Sequence, residues 1–325
     1  MAFTLADIAK LATDNFNKKF IVDLARHKNS LVSMLPIESI PGLEVTGSRL
    51  ATIPTTGKRK LNSTWTASTG RTEEVKETVS IYGGKISVDR IAAKVQARTG
   101  MPGALELQTQ ALRESMIYTI NTDAVNGDHG VDPDGMEGFS KRVGNGLARY
   151  DFNLESGGVS HDSLSTQAKA LSLLGYMHAA ANALGGVDLI VCNEKTKNLI
   201  GDVLRYLGQG NLLSSTTDNF ERKFDTLFGA PLVDVGYKSD FTTEIISNTQ
   251  GTDSLGSALY FIRKGGDEGL SLIQLEGTGP EPFDPMNGAH NGTAVERDVE
   301  WALGMQNTSR HSAIARIKGF KAGAY

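Results

Sequence analysis

The chain has 325 residues and a formal net charge of −4, with 39% hydrophobic and 22% charged residues. The length suits about two domains, and the composition excludes coiled-coil, collagen-like and strongly disordered proteins. A membrane-spanning helix needs about 18 consecutive apolar residues, and no apolar run in this sequence approaches that length. The sequence has a single cysteine, Cys192, which rules out an internal disulfide and a cysteine-cluster metal site.

The N-terminal part of the sequence predicts an arm, residues 1–43, with two short amphipathic helices. Apolar residues recur at helical spacing in both stretches, and Pro36 and Pro41 then favour an extended segment. The second predicted helix carries four cations outside its apolar face: Lys18, Lys19, Arg26 and Lys28.

Residues 44–90 predict a long two-stranded hairpin. Thr, Val and Ile are frequent in both arms, and the stretch between them is polar and offers little for a core. The hairpin carries Lys58, Arg59, Lys60, Trp65 and Arg71. Because a two-stranded hairpin is only marginally stable alone, it must lie on the rest of the chain or on a neighbouring molecule.

The longest helical pattern runs from Pro102 to about Asn126. Proline suits a first-turn position, and Gly127 suits the position after the last turn. A helix of this length measures roughly 37 Å and would cross a whole domain. Turn residues follow in the stretch GDHGVDPDGMEGF.

Residues 160–292 alternate between helical and strand patterns and predict an α/β unit. Asp162 or Ser163 is the expected cap of the first helix, which Gly185 and Gly186 end, and Asn193 is the expected cap of the next. The stretches VDLIVC, APLVDV, SALYFIRKG and LSLIQLEG have strand patterns. Residues 293–325 predict extended strands that return to the first unit.

No motif for catalysis or cofactor binding is complete. The glycine pairs that begin like a dinucleotide-binding motif lack the third glycine, and the six histidines have no metal-ligand spacing. His129 lies in an acidic, glycine-rich cluster that is typical of a turn held by Asx hydrogen bonds; its members are Asp128, Asp132, Asp134 and Glu137. We therefore expect no catalytic residue, no metal and no cofactor. A soluble α/β enzyme without a recognisable motif is the alternative.

The order of these elements resembles the major capsid protein of tailed phages, which has the Hong Kong 97-like fold. That family has an N-arm, an E-loop, a spine helix in a peripheral domain, and an axial domain. The stretch LNSTWTASTGRTEEVKETVSIYGGKISVDR resembles the return of its E-loop, and DPDGMEGF resembles the turn after its spine helix. The family's axial-domain strand resembles FGAPLVDVGYKSD, and its closing strand resembles VEWALGMQNTSRHSAIARIKGF. The resemblance extends over nearly the whole chain and consists of the order of the elements and these short motifs.

The resemblance implies an α+β capsid fold, divided into a series of named parts. These are an N-terminal arm (1–43), an E-loop hairpin (44–90), a peripheral domain with the spine helix (91–159), an axial domain (160–292) and C-terminal strands returning to the peripheral domain (293–325). It also implies a structural protein that assembles into hexamers and pentamers around double-stranded DNA. Such a protein is made in the host cytoplasm and ends in the virion.

The implied partners are further copies of the chain, a separate scaffolding protein, a portal protein and DNA bound without sequence preference. A decoration protein is a further partner of such shells, and no membrane is expected. An encapsulin compartment, which shares the fold and encloses an enzyme, is the alternative shell. Some relatives cross-link their subunits through a lysine at the E-loop tip and an asparagine. Lys58 and Lys60 lie at the corresponding tip of this hairpin, but no asparagine of this sequence can be matched. We therefore predict no cross-link.

Charge distribution agrees with contacts between copies. Residues 1–100 contain 15 Lys/Arg against 9 Asp/Glu, whereas the remainder contains 18 against 28. The hairpin cations Lys58, Arg59, Lys60 and Arg71 would meet the acidic surface of an adjacent copy, and Trp65 would anchor the hairpin there. A ribbon with ordinary solvated lysines is the simpler alternative. The arm cations face packaged DNA, or the arm docks on the inner shell surface with its charges solvated.

Overall fold

The computed structural model describes residues 31–89, 104–143, 148–217, 223–265, 269–277, 281–283, 294–307 and 312–322. The predicted arm helices and their cations Lys18, Lys19, Arg26 and Lys28 lie outside these residues. The described chain has a mixed α+β fold with two sheets. None of its helices is long and apolar enough to cross a membrane.

The elements follow one another from the hairpin to the closing strands. The helices are α1 (Ala104–Asn126), α2 (Phe139–Arg142), α3 (Gln167–Leu184) and α4 (Glu194–Tyr206). The strands are β1 (Ile37–Ile40), β2 (Glu44–Thr52), β3 (Arg71–Asp89), β4 (Asp151–Asn153), β5 (Leu189–Cys192), β6 (Leu213–Thr217), β7 (Lys223–Leu227), β8 (Ala230–Asp234), β9 (Gly256–Ile262), β10 (Ser271–Leu275), β11 (Glu281–Phe283), β12 (Ala294–Gln306) and β13 (Ile314–Lys321).

The six-stranded sheet has the order β1-β10-β12-β3-β2, with β11 paired to β12. Strand β3 changes partner along its length: Arg71 to Thr78 pair with β2, and Val79 to Asp89 pair with β12. One half of β3 is therefore inside the sheet, whereas the other half belongs to a two-stranded hairpin that projects from it.

The seven-stranded sheet has the order β4-β13-β9-β5-β8-β7-β6. Helices α3 and α4 cover one of its faces, where Met177 and Val203 join the apolar residues of β5, β8, β9 and β13 in one core. A second core joins α1 to residues of both sheets, such as Trp301 of β12 and Tyr260 of β9. Helix α1 thus packs against the hairpin-bearing sheet and also contributes to the core shared with the other sheet.

The local predictions of helix ends are mostly confirmed. The long helix ends at Asn126 as predicted, and Gly185, in a left-handed conformation, ends α3. Asn193 caps α4, accepting from the backbone N–H of Thr196 at 2.8 Å.

The predicted cap of α3 was wrong. Thr166 caps this helix, accepting from the N–H of Lys169 at 3.3 Å. Asp162 and Ser163 precede the cap because the chain makes a separate turn there, in which the Ser165 hydroxyl donates to the Asp162 carbonyl at 2.8 Å.

Two strands lie in a different sheet from the one that the sequence suggested. LSLIQLEG contains β10, which pairs with β1 and β12 rather than joining the α/β unit. Of the closing strands, β12 returns to the hairpin as expected, but β13 pairs with β9 and β4 in the seven-stranded sheet. Local apolar patterning predicts that a segment is a strand, but it does not specify which distant strand is its partner.

The projecting hairpin as candidate functional site

The projecting half of the hairpin contributes no buried side chain from residue 50 to residue 74. Residues 53–70, which we call the tip, connect β2 and β3 without regular strand structure. Large apolar side chains are among them: Trp65 is 61% exposed and Leu61 is 91% exposed. These side chains are available for contact with another molecule.

The tip is ordered by its own contacts. The Arg59 guanidinium donates to the Ser63 carbonyl at 2.8 Å and lies 5.9 Å from the centre of the Trp65 ring. The Ser63 hydroxyl donates to the Lys60 carbonyl at 2.8 Å, and the Ser68 hydroxyl donates to the Thr55 carbonyl at 3.0 Å. Of the predicted contact residues, the structure thus brings Arg59 and Trp65 together.

The outer part of the projecting half is basic. Residues 45–72 contain five Lys/Arg residues and no Asp or Glu. Arg49 pairs with Glu73 at 3.3 Å across the two strands. Within the part of the chain that the structure describes, the predicted residues Lys58, Lys60 and Arg71 form no ion pair. These three cations are therefore available to an acidic partner.

The root of the hairpin, Glu77 to Ile86, has the opposite character. The Arg142 side chain on α2 donates to Glu77 Oε2 at 2.7 Å, to the Glu137 carbonyl at 2.7 Å and to the Met305 carbonyl at 3.1 Å. The Glu77 and Arg142 side chains are only 9% and 6% exposed. This buried ion pair ties β3 to α2 and β12 at the point where the hairpin leaves the sheet.

A second polar contact holds the root against α1. The Tyr82 hydroxyl donates to Asp123 Oδ2 at 3.0 Å and accepts from the Met136 N–H at 3.3 Å. Burial, followed by the nearby Asp123 charge, raises the pKa of Tyr82 far above its usual range. Burial is also the main cause that raises the pKa of Asp123, with a further contribution from Asp132. The phenol therefore remains a neutral donor that fixes β3 on the helix.

Two adjacent glycines allow the root to pack this closely. A Cβ on Gly83 would overlap the Val299 carbonyl oxygen of β12, and one on Gly84 would lie 2.8 Å from Cδ1 of Leu112 on α1. Glycine inside a strand often marks such a close approach. The pair in YGGK thus lets β3 lie directly against its neighbours on both sides.

The acidic cluster after α1 is a turn, as predicted. Asp128 accepts from the Gly130 N–H at 2.9 Å, and Asp132 accepts from the Asp134 N–H at 3.2 Å. Lys141 pairs with Asp128 at 2.7 Å. Across the described ranges, no group of His, Cys, Asp and Glu residues could hold a metal ion.

Cys192 and His161 have structural positions. Cys192 is completely buried in β5, and burial raises the pKa of its thiol. The His161 ring contacts the Ser163 hydroxyl at 3.0 Å rather than pairing with Asp162. Cys192 is a core residue, and His161 lies in the turn before α3, whose cap is Thr166.

Sequence reasoning missed the four residues that anchor the root: Glu77, Arg142, Tyr82 and Asp123. Glu77 lies among polar strand residues and has no local sign of burial. The one available signal was the glycine pair at 83 and 84, which indicates close packing of the strand at that position.

Neither a protein-family model nor a curated protein matches this sequence. Solved structures do match it over most of its length. One is the SrpI encapsulin of Synechococcus elongatus PCC 7942, with 11% identity and a TM-score of 0.62 over 91% of this chain and 88% of that one. Another is the capsid of a native GTA particle, with 13% identity and a TM-score of 0.60 over 91% of each chain.

A third similar structure is the capsid of cyanophage A-1(L), with 12% identity and a TM-score of 0.56 over 90% of this chain and 93% of that one. The three share an overall arrangement of helices and sheets with this chain while retaining few identical residues. The fold predicted from the order of elements is thereby confirmed.

Proposed function

Because the chain has the Hong Kong 97-like capsid fold, we propose that it is the major capsid protein of a tailed phage. It assembles into hexamers and pentamers, and these form an icosahedral shell around double-stranded DNA. The observation that carries the proposal is the hairpin, which is anchored at its root by buried contacts and exposes a basic, partly apolar tip.

The hairpin suits contact with a neighbouring subunit. Its buried root fixes the direction in which it projects, so little conformational freedom has to be lost on association. Its tip has exposed apolar side chains and cations, which a second copy can cover. When such a contact is made between different surfaces of identical chains, its repetition generates a closed ring if the rotation between neighbours closes, and an open filament otherwise.

The other parts of the chain have structural roles in this proposal. Helix α1 is the spine of the peripheral domain, and the seven-stranded sheet with α3 and α4 belongs to the axial domain around the capsomer centre. Strands β10 and β12 belong to the peripheral domain, and β13 belongs to the axial domain. The arm, predicted as residues 1–43, joins the six-stranded sheet through β1, and its cations Lys18, Lys19, Arg26 and Lys28 face the packaged DNA or the inner shell surface.

A shell of this kind has a defined set of partners. The chain associates with copies of itself, with a separate scaffolding protein during assembly and with a portal protein at one vertex. DNA is bound without sequence preference, and a decoration protein binds the outer surface. The assembled protein is located in the virion, after synthesis in the host cytoplasm.

A second candidate function is an encapsulin-type compartment. The TM-score of 0.62 with the SrpI encapsulin favours it, since the overall shape of the chain is at least as similar to that shell as to the GTA particle capsid and the cyanophage capsid. The content of shells isolated from the native host separates the two functions: DNA protected from nuclease supports the capsid, and a single enclosed protein supports the compartment.

Negative-stain electron microscopy after size-exclusion chromatography tests the proposal. The protein is expressed alone and together with a candidate scaffolding protein. We expect closed shells, tubes, or rings of five or six subunits. A homogeneous small oligomer under every condition would contradict shell formation and would redirect the search towards a ligand pocket.

Charge reversal tests the part played by the tip. In the triple variant Lys58→Glu, Arg59→Glu, Lys60→Glu we expect shell yield to fall while circular dichroism of the subunit is unchanged, because all three side chains are exposed. Wild-type yield from this variant would remove the tip cations from the assembly contact.

A further inference from the structure

The face of the six-stranded sheet that points away from the first core has a distinct character. Residues directly opposite on antiparallel strands share a face, and β3 and β12 pair Ile81 with Ala302, Gly83 with Glu300 and Lys85 with Asp298. The alternate residues Tyr82, Val299, Trp301 and Leu303 belong to the core on the other side. We call the outer surface, formed by Ile81, Lys85, Glu296, Asp298 and Glu300, the acidic face.

Among the described residues, the acidic face has three carboxylates and one cation. Glu296, Asp298 and Glu300 occupy alternate positions of β12, and Lys85 is the cation between them, 2.5 Å from Glu296. Glu300 is exposed, and its side chain lies beside Gly83, the residue opposite it on β3. One carboxylate oxygen of Asp298 is shielded from solvent and accepts no hydrogen bond. A shielded carboxylate oxygen without a donor is unfavourable.

The same face has an exposed apolar residue. Ile81 is 65% exposed although it lies in the middle of the longest strand. An exposed apolar side chain beside unneutralised acids is complementary to a ligand that carries cations next to apolar groups.

The hairpin tip of a second copy has this composition. Its cations Lys58 and Lys60 have no acidic partner within the described chain, and Trp65 and Leu61 are exposed beside them. The tip of the same chain cannot reach the acidic face, because β3 runs without interruption between them. The 14 residue-to-residue steps from Arg71 to Lys85 span about 46 Å at 3.3 Å per step.

We propose that the acidic face of one subunit receives the hairpin tip of its neighbour. Lys58 and Lys60 pair with Glu300 and Asp298, and Trp65 or Leu61 covers Ile81. The proposal rests on the proposed shell function and adds to it the surface to which the tip binds. Since the two surfaces differ, each subunit donates one tip and accepts another, as ring formation requires.

Cross-linking with a short bis-maleimide tests this contact in assembled particles. The double variant Lys60→Cys, Glu300→Cys places both new thiols at exposed positions, whereas the native Cys192 is completely buried and does not compete. We expect a ladder of covalent multimers on a denaturing gel. A chain with one accessible cysteine can form dimers at most, so each single variant is a direct control. A matched pair, Lys60→Cys with Asp134→Cys, moves the acceptor thiol to the exposed turn after α1 and should give no ladder.

A charge exchange provides an independent measurement. We expect Glu300→Lys to lower the yield of shells at least tenfold, and adding Lys58→Glu and Lys60→Glu to restore at least half of it. Asp134→Lys, the same change of charge at an exposed site on the core side of β3, should leave the yield unchanged.

The outcomes separate the two proposals. Absence of shells from the wild-type protein under all conditions would overturn the proposed function and this contact with it. Wild-type shells that give neither a ladder nor a charge rescue would overturn the contact alone. Shells with both the ladder and the rescue would support it.

Discussion

The root and the tip of the hairpin belong to the same pair of strands but differ in what stabilises them. At the root, Glu77 and Tyr82 make buried polar contacts with α2, β12 and α1. At the tip, every side chain is exposed, and the hydrogen bonds are local. The root therefore contributes to folding of the subunit, whereas the tip contributes little until a neighbour is present. Substitutions at the root should lower subunit stability, and those at the tip should affect assembly.

The largest effect is expected from Glu77→Ala. This change leaves Arg142 buried without its carboxylate, which costs about 3–5 kcal/mol of unfolding free energy. Urea denaturation of the subunit measures the loss. The single variants Glu77→Leu and Arg142→Met should each lose stability. The double variant with both changes should lose less than the two single losses added together, because no unpaired charge remains. A loss below about 1 kcal/mol in Glu77→Ala would mean that the ion pair does not anchor the root.

Adding one methyl group at the root and at the tip provides a matched comparison. Gly83→Ala places a Cβ against the Val299 carbonyl, and we expect it to lower stability by about 1–3 kcal/mol. Gly57→Ala at the tip meets nothing within 4 Å and should be neutral or stabilising by about 0.4–1 kcal/mol. Thermal denaturation of both variants measures the difference. Equal effects would contradict the distinction between root and tip.

Tyr82→Phe should have a smaller effect, and one that depends on pH. Loss of the hydroxyl removes a donor to Asp123 and an acceptor for the Met136 N–H, at a cost of about 1 kcal/mol near neutral pH. Because the pKa of Tyr82 is raised in the folded state, the unfolded chain loses this proton first as the pH rises. The contribution of Tyr82 to stability is therefore present below its ordinary pKa near 10 and is lost above it.

Denaturation measured at several pH values up to about 11 tests this expectation. Stability of the wild type should fall more steeply above pH 10 than that of Tyr82→Phe, by up to about 1.4 kcal/mol per pH unit. Parallel curves for the two proteins would show that Tyr82 ionises as freely in the folded chain as in the unfolded one.

The smallest effect on the free subunit is expected from Trp65→Ala. The side chain is 61% exposed and joins neither core, so its removal should change subunit stability by no more than about 0.5 kcal/mol. Assembled particles should nevertheless melt at a lower temperature, because Trp65 anchors the tip on a neighbour. Unchanged melting of the particles would assign Trp65 to an ordinary exposed position.

The sequence predicts the tip better than the root. A polar stretch with Lys58, Lys60 and Trp65 between two strand patterns is visible locally, and so is the absence of acids around it. Local chemistry likewise predicts the Asn193 cap and the end of α3 at Gly185, since a cap depends on residues within one turn.

The root depends on residues that are far apart in sequence. Glu77 and Arg142 are separated by 65 positions, and their pairing exists only because β3, α2 and β12 come together. The assignment of β10 and β13 to sheets failed for the same reason. An apolar alternating pattern specifies a strand, but its neighbour in the sheet is chosen by packing of the whole chain.

Hydrogen–deuterium exchange of the hairpin, compared between dissociated subunits and assembled shells, tests the central claim most directly. We predict that amides of the root, from residue 77 to residue 86, are protected in both states. Amides of the tip, from residue 53 to residue 70, should exchange rapidly in the subunit and slowly in the shell. Equally rapid exchange of the tip in both states would contradict the account, since the hairpin would then project into solvent rather than onto a neighbour.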